Sequence, residues 1–389
     1  MSARATPRPP LWTASFSLVV AATALLFVGF YAALPALPRL GRALGAATGE
    51  VGWVITTFSL AAMTTRLLAA RHLDGHCRPK FILAGLALYS AGAAAHPWCA
   101  HWEVLLAVRV LHGVGWGLAT TAIGAVVADL TPAARRGEGL GSWGLAPTAA
   151  MASGPLLGEA ILAWRGFAAV FATTALGGVL AAAAIAPVGG GAKPAGPPVA
   201  SASPAGPPVL PPGAVLPALA LFLSSLSYGA LVAFLPLEMA AAPGRAGGFF
   251  TAYALAVLAA RPVAGRLSDL VGRRPVIVPG LLLGAAGTVL LGLAPAGGPL
   301  IGAAVLIGVG IGGASYPGLM ALAVDRTPVA RRGATMGAYF TAYDLAIALG
   351  AALLGPVYAA GGFAALNLVA AIGIVAAVPV VLGCRTGRF

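Results

Sequence analysis

Hydrophobic residues run in long blocks along this chain, and the charged residues fall almost entirely between the blocks. Each block approaches or exceeds the about 20 residues that an α-helix needs to cross a bilayer. Apolar and polar residues do not alternate within the blocks, as they would in the strands of a membrane β-barrel. The pattern predicts twelve transmembrane helices, at residues 11–37, 51–71, 80–98, 103–129, 139–163, 166–187, 214–238, 247–267, 276–294, 299–325, 335–359 and 362–383.

Two charge-free runs, 275–324 and 345–384, are each long enough for two helices. Turn-forming residues divide them, at 294–299 (APAGGP) and at 360–362 (AGG). Like a signal peptide, the first apolar run is preceded by arginines and followed by small residues. It is longer, however, than the roughly 7 to 15 residues of the hydrophobic core of a signal peptide. We therefore expect it to be the first membrane helix.

The composition fits a protein whose surface faces lipid. Hydrophobic residues make up 59% of the 389 residues and charged residues 8%, against roughly 25% charged residues in soluble proteins. With a cytoplasmic N-terminus, eighteen of the 23 lysines and arginines fall on the cytoplasmic side and four on the other side. This bias predicts that both termini are cytoplasmic. It also accounts for the net charge of +13, which indicates contact with anionic lipid and no nucleic-acid partner.

A linker and an internal repeat divide the chain into two halves. Residues 189–213 are rich in Pro, Gly and Ala, and they predict a cytoplasmic tether between six helices in 1–188 and six in 214–389. The segment DLTPAARRGEGLG at 129–141 returns 196 positions later as DRTPVARRGATMG. Both copies face the cytoplasm, so the halves are related by an axis along the membrane normal. Four charged residues repeat at an offset of 195: Arg66 with Arg261, Arg71 with Arg266, Asp74 with Asp269, and Arg78 with Arg273.

The second copy of these charges resembles the loop motif G-x-L-x-D-x-x-G-R-[RK] of the Major Facilitator Superfamily. The matching residues are Gly265, Asp269, Gly272, Arg273 and Arg274. The first copy keeps Asp74, Arg78 and Lys80, but Ala70, Cys77 and Pro79 replace other motif residues. The resemblance covers essentially the whole chain. It implies an all-α integral membrane fold of twelve helices in two pseudo-symmetric halves, and transport by alternating access.

Two further segments carry the resemblance. Arg109 and Gly113 fit an R-x-x-x-G motif in the fourth helix. Gly141 and the segment 154–159 (GPLLGE) resemble the exporter-type motif of the fifth helix, where Ala150 and Glu159 replace two glycines. The amino-acid sequence of the second half is most similar to bacterial exporters of the drug-efflux or arabinose-efflux type, and it also resembles opine-metallophore exporters. This implies a monomeric multi-pass protein of the bacterial inner membrane.

The loop motif suggests a cytoplasmic gate. Its aspartate can face a helix N-terminus, where an anion is favoured by roughly 0.3 to 1 kcal/mol. Its arginine can pair with a carboxylate on a neighbouring helix, and Asp129 and Asp325 are the natural partners for Arg78 and Arg273. We expect both clamps to hold the outward-facing state and to release as the carrier turns inward. The alternative is that the arginines only set the topology.

Inserting a charged side chain at the centre of a membrane helix costs roughly 2.5 to 3.5 kcal/mol of free energy. Each such residue is therefore a candidate for a functional role. Asp344 is the candidate for proton coupling, because burial favours the protonated form of a carboxyl; it can also be a structural hydrogen-bonding group. Arg109 is expected to face the central cavity and to pair with a carboxylate or an anionic substrate group, or else to sit in a structural ion pair. His112 and Trp116 share its helical face, and His112 is a candidate proton relay or a packed polar residue. Glu159 and Glu238 lie near helix ends.

Aromatic side chains on the cavity-lining helices are candidates for substrate contact, although most such residues serve packing or the interfacial belt. The candidates are Tyr31, Trp116, Tyr228, Ser315, Tyr316 and Tyr343. Four tryptophans, Trp12, Trp98, Trp102 and Trp164, are expected in the belt. So few cavity charges favour an apolar, cationic or sugar-like substrate over a polyanion.

Several alternatives are excluded or set aside. GVGIGG at 308–313 fits a dinucleotide motif, but it lies within an apolar helix and is interpreted as a packing motif. No Walker sequence, metal-ligand spacing or nucleophile–base pair is present, so we expect no cofactor, no metal and no enzyme. The sequence thus predicts a proton-coupled exporter (antiporter) of a small molecule such as a drug, sugar or metabolite. The alternative is an importer or facilitator of a small metabolite, or a metallophore exporter.

Overall fold

The computed structural model describes residues 10–70, 78–132, 135–190, 212–328 and 331–384. All regular elements in these ranges are helices. Three short segments differ from the α-helix: 3₁₀ turns at His96–Trp98 and Ala186–Gly190, and a π-helix at Gly308–Ser315. The α-helices are α1 Ala14–Ala33, α2 Ala36–Ala43, α3 Gly52–Ala70, α4 Arg78–Ala95, α5 Trp102–Leu130, α6 Arg136–Ile185, α7 Pro212–Glu238, α8 Arg245–Val271, α9 Arg274–Leu293, α10 Gly297–Ile307, α11 Tyr316–Asp325, α12 Arg332–Leu353 and α13 Gly355–Gly383.

These helices make twelve passes through the bundle, which confirms the predicted fold. Nine helical segments in the described residues are long and apolar enough to span a membrane. The segment that contains α6 has 51 residues and serves as two passes, while the shorter α3 and α4 supply two more. The segment from α10 through the π-helix to α11 is one pass.

Glycines with a left-handed backbone mark the turns between passes in both halves. Gly166 has φ 75° within α6, and Gly362 has φ 70° within α13. A side chain is disfavoured at such angles, so glycine is the suitable residue for both kinks. The two positions are 196 apart, the same spacing as the sequence repeat. The predicted break at 360–362 therefore lies where the structure turns.

Some predicted boundaries were wrong because prolines and glycines interrupt apolar runs. The first predicted helix, 11–37, is divided near Pro35, where α1 gives way to the short basic α2. The predicted helix 299–325 contains the π-helix. Most of the predicted tether, 191–211, lies outside the described residues. The belt tryptophans Trp12, Trp98 and Trp164 are exposed, and Trp102 is half-buried.

The two halves contact each other through two helix pairs that are equivalent by the internal repeat. The Thr56 hydroxyl of α3 donates to the carbonyl of Ala348 in α12 at 2.6 Å. The Thr251 hydroxyl of α8 donates to the carbonyl of Ala152 in α6 at 2.5 Å. Thr56 and Thr251 are 195 positions apart, and Ala152 and Ala348 are 196 apart, so the interface repeats the internal symmetry.

These contacts lie toward the end of the bundle opposite the basic loops. α3 begins at Gly52 on that end, and a Cβ there would overlap the Ala351 carbonyl of the other half. The buried core of the second half also takes in Leu34, Val51 and Ile55 from the first half at this end. The bundle is therefore closed at the end away from the basic loops.

Candidate functional site

An ion pair joins the two halves inside the bundle. Asp344 lies twelve residues into α12, about 18 Å from its start at 1.5 Å per residue. Its Oδ2 is 3.1 Å from Nη1 of Arg66 in α3. The Arg66 side chain is 35% exposed and the Asp344 side chain 23% exposed. Because the far end of the bundle is closed, we infer that this pair reaches solvent from the end with the basic loops.

Tyrosines of the second half form one wall beside this pair. The rings of Tyr316 and Tyr343 are 5.1 Å apart in an edge-to-face arrangement. Tyr228 stacks at 5.9 Å from Tyr253 and at 6.5 Å from Tyr343. α7, α8, α11 and α12 each contribute to this wall, which is therefore a product of the tertiary fold. Tyr31 of α1 packs against the same core from the first half.

Arg261 adds a second cation to the wall. Its Nε donates to the carbonyl of Gly312 at 3.2 Å, and its guanidinium carbon lies 5.9 Å from the centre of the Tyr316 ring. On α8 it lies on the side opposite the apolar face that includes Ala256 and Val263. No carboxylate of the described residues forms an ion pair with Arg261.

The π-helix provides the acceptor for Arg261. Its wider turn leaves the usual α-helical ladder, and the hydroxyl of Ser315 instead donates to the Gly310 carbonyl at 2.8 Å. Ser315, a predicted cavity residue, is fully buried and turned into the helix backbone. The GVGIGG segment is thus an irregular helix at the site. The sequence interpretation as a regular packing helix missed this, because hydropathy does not distinguish helix types.

Sequence reasoning also missed Arg66, Arg261 and Tyr253. Both arginines were counted with the cytoplasmic charges, although they fall within the predicted helices 51–71 and 247–267. Arg66 pairs with Asp344 of the other half, and Arg261 donates to the Gly312 carbonyl of the π-helix, so both cations contact other helices of the bundle. The 195-residue repeat marked the two arginines as equivalent, and that signal was sufficient to find them together.

Arg109 and His112 lie together, as their spacing predicts, but deep in the first half. Their side chains are 1% and 0% exposed. Arg109 donates from Nε to the Val54 carbonyl and from Nη1 to His112 Nδ1, both at 2.9 Å. Its guanidinium carbon lies 4.1 Å from the centre of the Phe58 ring. No carboxylate among the described residues pairs with it, so the expected ion pair is not formed here.

Other polar groups surround this pair, and Trp116 closes the cluster by stacking on Phe30 at 4.2 Å. His96 donates from Nδ1 to the Gly92 carbonyl at 2.7 Å, and its ring centre is 5.2 Å from that of His112. Seven buried polar side-chain atoms have no partner in the described residues, and four of them lie on α4, α5 and the 3₁₀ turn between them: Tyr89 Oη, Ser90 Oγ, His96 Nε2 and His112 Nε2. The predicted relay candidate therefore sits in a buried polar cluster.

Glu159 forms a latch across the closed end. It is 2% exposed, its Oε1 accepts from Arg39 Nη2 at 2.9 Å, and its Oε2 accepts from the backbone N–H of Gly247 at 2.9 Å. Arg39 also donates from Nε to the Pro236 carbonyl at 2.9 Å. Gly247 and Pro236 belong to the second half, so the two side chains tie the halves together. Glu238, in contrast, ends α7 and accepts from the Tyr358 hydroxyl.

The loop-motif charges pair within each half. Arg273 Nη1 lies 2.5 Å from Asp269 Oδ1, and its Nε lies 2.9 Å from Asp325 Oδ2. Partial burial lowers the pKa of Arg273, but the hydrogen bonds that it donates to Asp325 and Asp269 outweigh this effect, so its pKa is raised. Arg78 pairs with Asp129 in the first half. These are the partners expected from the sequence.

The remaining motif residues frame this loop. Gly272 ends α8 with φ 94°, a conformation that suits glycine, and Arg274 begins α9. Gly265 has open space beside its Cα. Asp74 lies outside the described residues. The structure therefore shows the ion pairs of both motif copies, each inside its own half. They are formed although the end away from the basic loops is the closed one, so the expectation that the clamps release in such a state is not met. The reason is that neither pair crosses between the halves.

The sequence profile of the Major Facilitator Superfamily matches residues 19–237 and again residues 217–386. The two matches together cover nearly the whole chain. The chain belongs to this family, which consists of membrane transporters and not of enzymes. The all-helical twelve-pass fold and its two related halves agree with that membership.

Curated relatives match parts of the chain. An MFS-type transporter of Mycobacterium tuberculosis is 29% identical over 160 residues, which cover 41% of this chain and 28% of that protein. One of Methanocaldococcus jannaschii is 26% identical over 172 residues, 44% of this chain and 42% of that protein. Multidrug resistance protein 2 of Bacillus subtilis is 24% identical over 126 residues, 32% of each chain. The matches span less than half of each relative.

Solved structures share the fold over almost their full length. A bacterial homologue of the human lysosomal transporter Spinster has a TM-score of 0.73 and 14% identity, and the match covers 97% of this chain and 96% of that chain. A POT family transporter in complex with 5-aminolevulinic acid has a TM-score of 0.76 and 14% identity, with 94% and 95% covered. At such identities the likeness shows the fold alone.

Proposed function

We propose that this protein is a proton-coupled exporter of a small molecule, and that Asp344 carries the proton. The observation that carries this is the Arg66–Asp344 ion pair, 3.1 Å across the two halves. Alternating access moves one half against the other, so a charge pair between the halves favours the conformations in which it forms. Protonation of Asp344 removes the negative charge of the pair. The proton therefore shifts the balance between conformations.

The pair acts as a lock on the empty carrier in this scheme. With Asp344 ionised, the bridge to Arg66 holds the halves in the present conformation. Protonation of Asp344, or a substrate group that takes Arg66 from it, releases the bridge. An empty, unprotonated carrier then does not turn, which limits proton leak and couples the two fluxes.

The proposed direction of transport and the proposed membrane follow from the distribution of charge and from the similarity to other proteins. The positive-inside rule supports a cytoplasmic location for the basic loops. On this proposal the closed end faces outward and the open end faces the cytoplasm. The relatives include a multidrug resistance protein of Bacillus subtilis, and this supports export from a bacterial inner membrane. We further propose that the chain works as a monomer, because each half supplies one partner of the bridge.

The experiment follows lumenal pH in energised, inverted vesicles while small molecules are added. The panel contains lipophilic cations, antibiotics, sugars and aromatic carboxylates. The wild type should show a substrate-induced proton leak, and Asp344→Asn should abolish it. Glu238→Gln, which removes an acid at the end of α7 and outside the bridge, should leave the leak unchanged. A leak that persists in Asp344→Asn would overturn the assignment of the proton site, and proton-driven uptake into right-side-out vesicles would reverse the direction.

A further inference from the structure

The internal duplication places two arginines symmetrically in the cavity but gives only one of them an acid. Arg66 and Arg261 are 195 positions apart and occupy equivalent places on α3 and α8. Ala152 and Ala348 are 196 positions apart, and the same offset makes Thr148 the equivalent of Asp344. The residue opposite Arg261 is therefore a threonine, where Arg66 meets an aspartate.

The interface between the halves has the same internal symmetry. The hydroxyls of Thr56 and Thr251 make the same bond to the opposite half, at 2.6 and 2.5 Å. Their acceptors, Ala348 and Ala152, lie on the same helices as Asp344 and Thr148, four residues away in each case. The two interfaces therefore share their register, and only the acid is absent from the second.

Thr148 does not replace that acid. Its hydroxyl donates to the Gly144 carbonyl of its own helix at 2.9 Å. Among the described residues, Arg261 contacts one backbone carbonyl and the face of Tyr316. Arg261 is exposed, so it can reach a soluble partner. The duplication offers an obvious position for a counter-ion within the protein, because the equivalent Arg66 is paired with an acid there. The unfilled position indicates that a counter-ion arrives from outside the protein.

The geometry points to an organic anion as the substrate: a carboxylate or similar acidic group on Arg261, and an aromatic or apolar body against the tyrosine wall. This inference rests on the proposed function, and it names the substrate class of the same cavity. A guanidinium can bind a carboxylate through two parallel hydrogen bonds. Tyr316 and Tyr343 offer ring faces and edges beside it.

The charge balance disfavours the other classes. Arg66, Arg261 and ionised Asp344 sum to one positive charge, so one bound monoanion neutralises the cavity. A cationic drug would meet Arg261 without a free acid, because Asp344 is already paired. The expectation from sequence, an apolar, cationic or sugar-like substrate, counted neither arginine as a cavity residue. Their placement inside the bundle reverses that preference.

The test uses three probes with one aromatic body and different charges: 1-naphthoate, 1-naphthamide and 1-naphthylmethylammonium. Binding to the purified protein is measured from the shift in its thermal unfolding as each probe is titrated. We expect the carboxylate to bind and the amide and ammonium probes to bind at least tenfold more weakly. Stronger binding of the ammonium probe, equal binding of all three, or no binding of the carboxylate would overturn the inference.

Variants assign the carboxylate to its place. Thr148→Asp supplies the missing acid and should weaken carboxylate binding at least tenfold, whereas Thr148→Asn, of the same size but neutral, should stay within twofold of the wild type. Arg261→Gln should weaken binding as Thr148→Asp does. If Thr148→Asp fails to fold, Arg261→Gln against Arg261→Lys decides the question, since the lysine keeps the charge and should retain part of the binding.

Asp344→Asn separates this inference from the proposed function. It removes a negative charge from the cavity, so the carboxylate should bind as tightly as in the wild type or more tightly, while proton coupling is lost. If Asp344→Asn keeps both normal proton coupling and selectivity for the carboxylate, the organic anion is supported as the substrate class and Asp344 is not the proton site. Lost coupling without carboxylate selectivity would do the reverse.

Discussion

Asp344 sits within a membrane helix, and Arg66 of the other half is its ion-pair partner among the described residues. Arg261 and Arg109 are also inside the bundle, and neither has a carboxylate among the described residues. The three cations differ in setting: Arg66 bridges the halves, Arg261 faces the cavity, and Arg109 is sealed within the first half. In the proposed function, the cation that matters for the substrate is the one that has no carboxylate partner among the described residues and is still exposed, Arg261.

Exchanging the two members of the bridge tests whether they act as a pair. Arg66→Asp alone and Asp344→Arg alone each place like charges together, and each should reduce proton-coupled transport at least tenfold. The double exchange restores opposite charges across the halves and should recover part of the activity. The measurement is the substrate-induced proton leak in inverted vesicles. A double variant no better than either single one would show that the pairing is incidental.

Arg109 is predicted to matter for stability. Arg109→Lys leaves the Val54 carbonyl or His112 Nδ1 without its donor, because one ammonium cannot replace the planar fork that serves both. Loss of one buried hydrogen bond should lower the free energy of unfolding by about 1 to 3 kcal/mol. Thermal unfolding of the purified variants measures this.

Arg165 supplies the matched control. It lies 4.1 Å over the Trp164 ring, the same distance as Arg109 over Phe58, but that tryptophan is 75% exposed. Arg165→Lys should therefore change stability little. Equal losses for the two variants would contradict the buried role of Arg109.

Pairs of helices, α3 with α12 and α6 with α8, carry the contact between the halves. Each pair uses a threonine hydroxyl, and glycine at the same level lets the backbones approach. The latch of Glu159, Arg39 and the Gly247 N–H adds a charged contact at the same end. At this scale, the helices determine which end of the bundle is shut.

Gly52→Ala should oppose the present conformation. A methyl group there would overlap the Ala351 carbonyl of the opposite half, so the halves must separate at the closed end. Gly144→Ala is the control, because nothing lies within 4 Å of a Cβ at Gly144. We expect Gly52→Ala to increase labelling of single cysteines placed at the closed end, and Gly144→Ala to leave it unchanged. Unchanged labelling in both would contradict the described contact.

Glu159→Gln should weaken the latch without changing its size. The amide keeps one acceptor for Gly247 or Arg39, but the charge on a fully buried partner of Arg39 is lost. We expect the closed end to open more often, measured as faster labelling of a cysteine at Ala240, which lies beyond α7. Slower labelling, or none of the expected increase, would mean that Glu159 does not hold this end shut.

Across the whole molecule, the sequence predicted the features that depend on hydropathy and on the internal repeat. The twelve passes, the break at 360–362 and the relation of the halves follow from apolar run lengths and the 195- to 196-residue offset. The Arg66–Asp344 bridge did not follow, because its members are 278 positions apart and helix rotation is not visible in charge counts. The π-helix was missed because its glycines have the same hydropathy in any helix.

The distance between the halves as a function of pH, measured without substrate, decides whether protonation of Asp344 releases the bridge. Spin labels are placed on Leu140→Cys and Leu270→Cys, exposed positions at the basic-loop ends of α6 and α8, in a chain whose native cysteines Cys77, Cys99 and Cys384 are serine. At high pH the bridge should keep the halves in the present conformation, in which this end is open. Acidification should shift the distances toward a shorter population, and Asp344→Asn should show that population at every pH. A pH response unchanged by Asp344→Asn would contradict the claim that protonation of Asp344 releases the bridge between the halves.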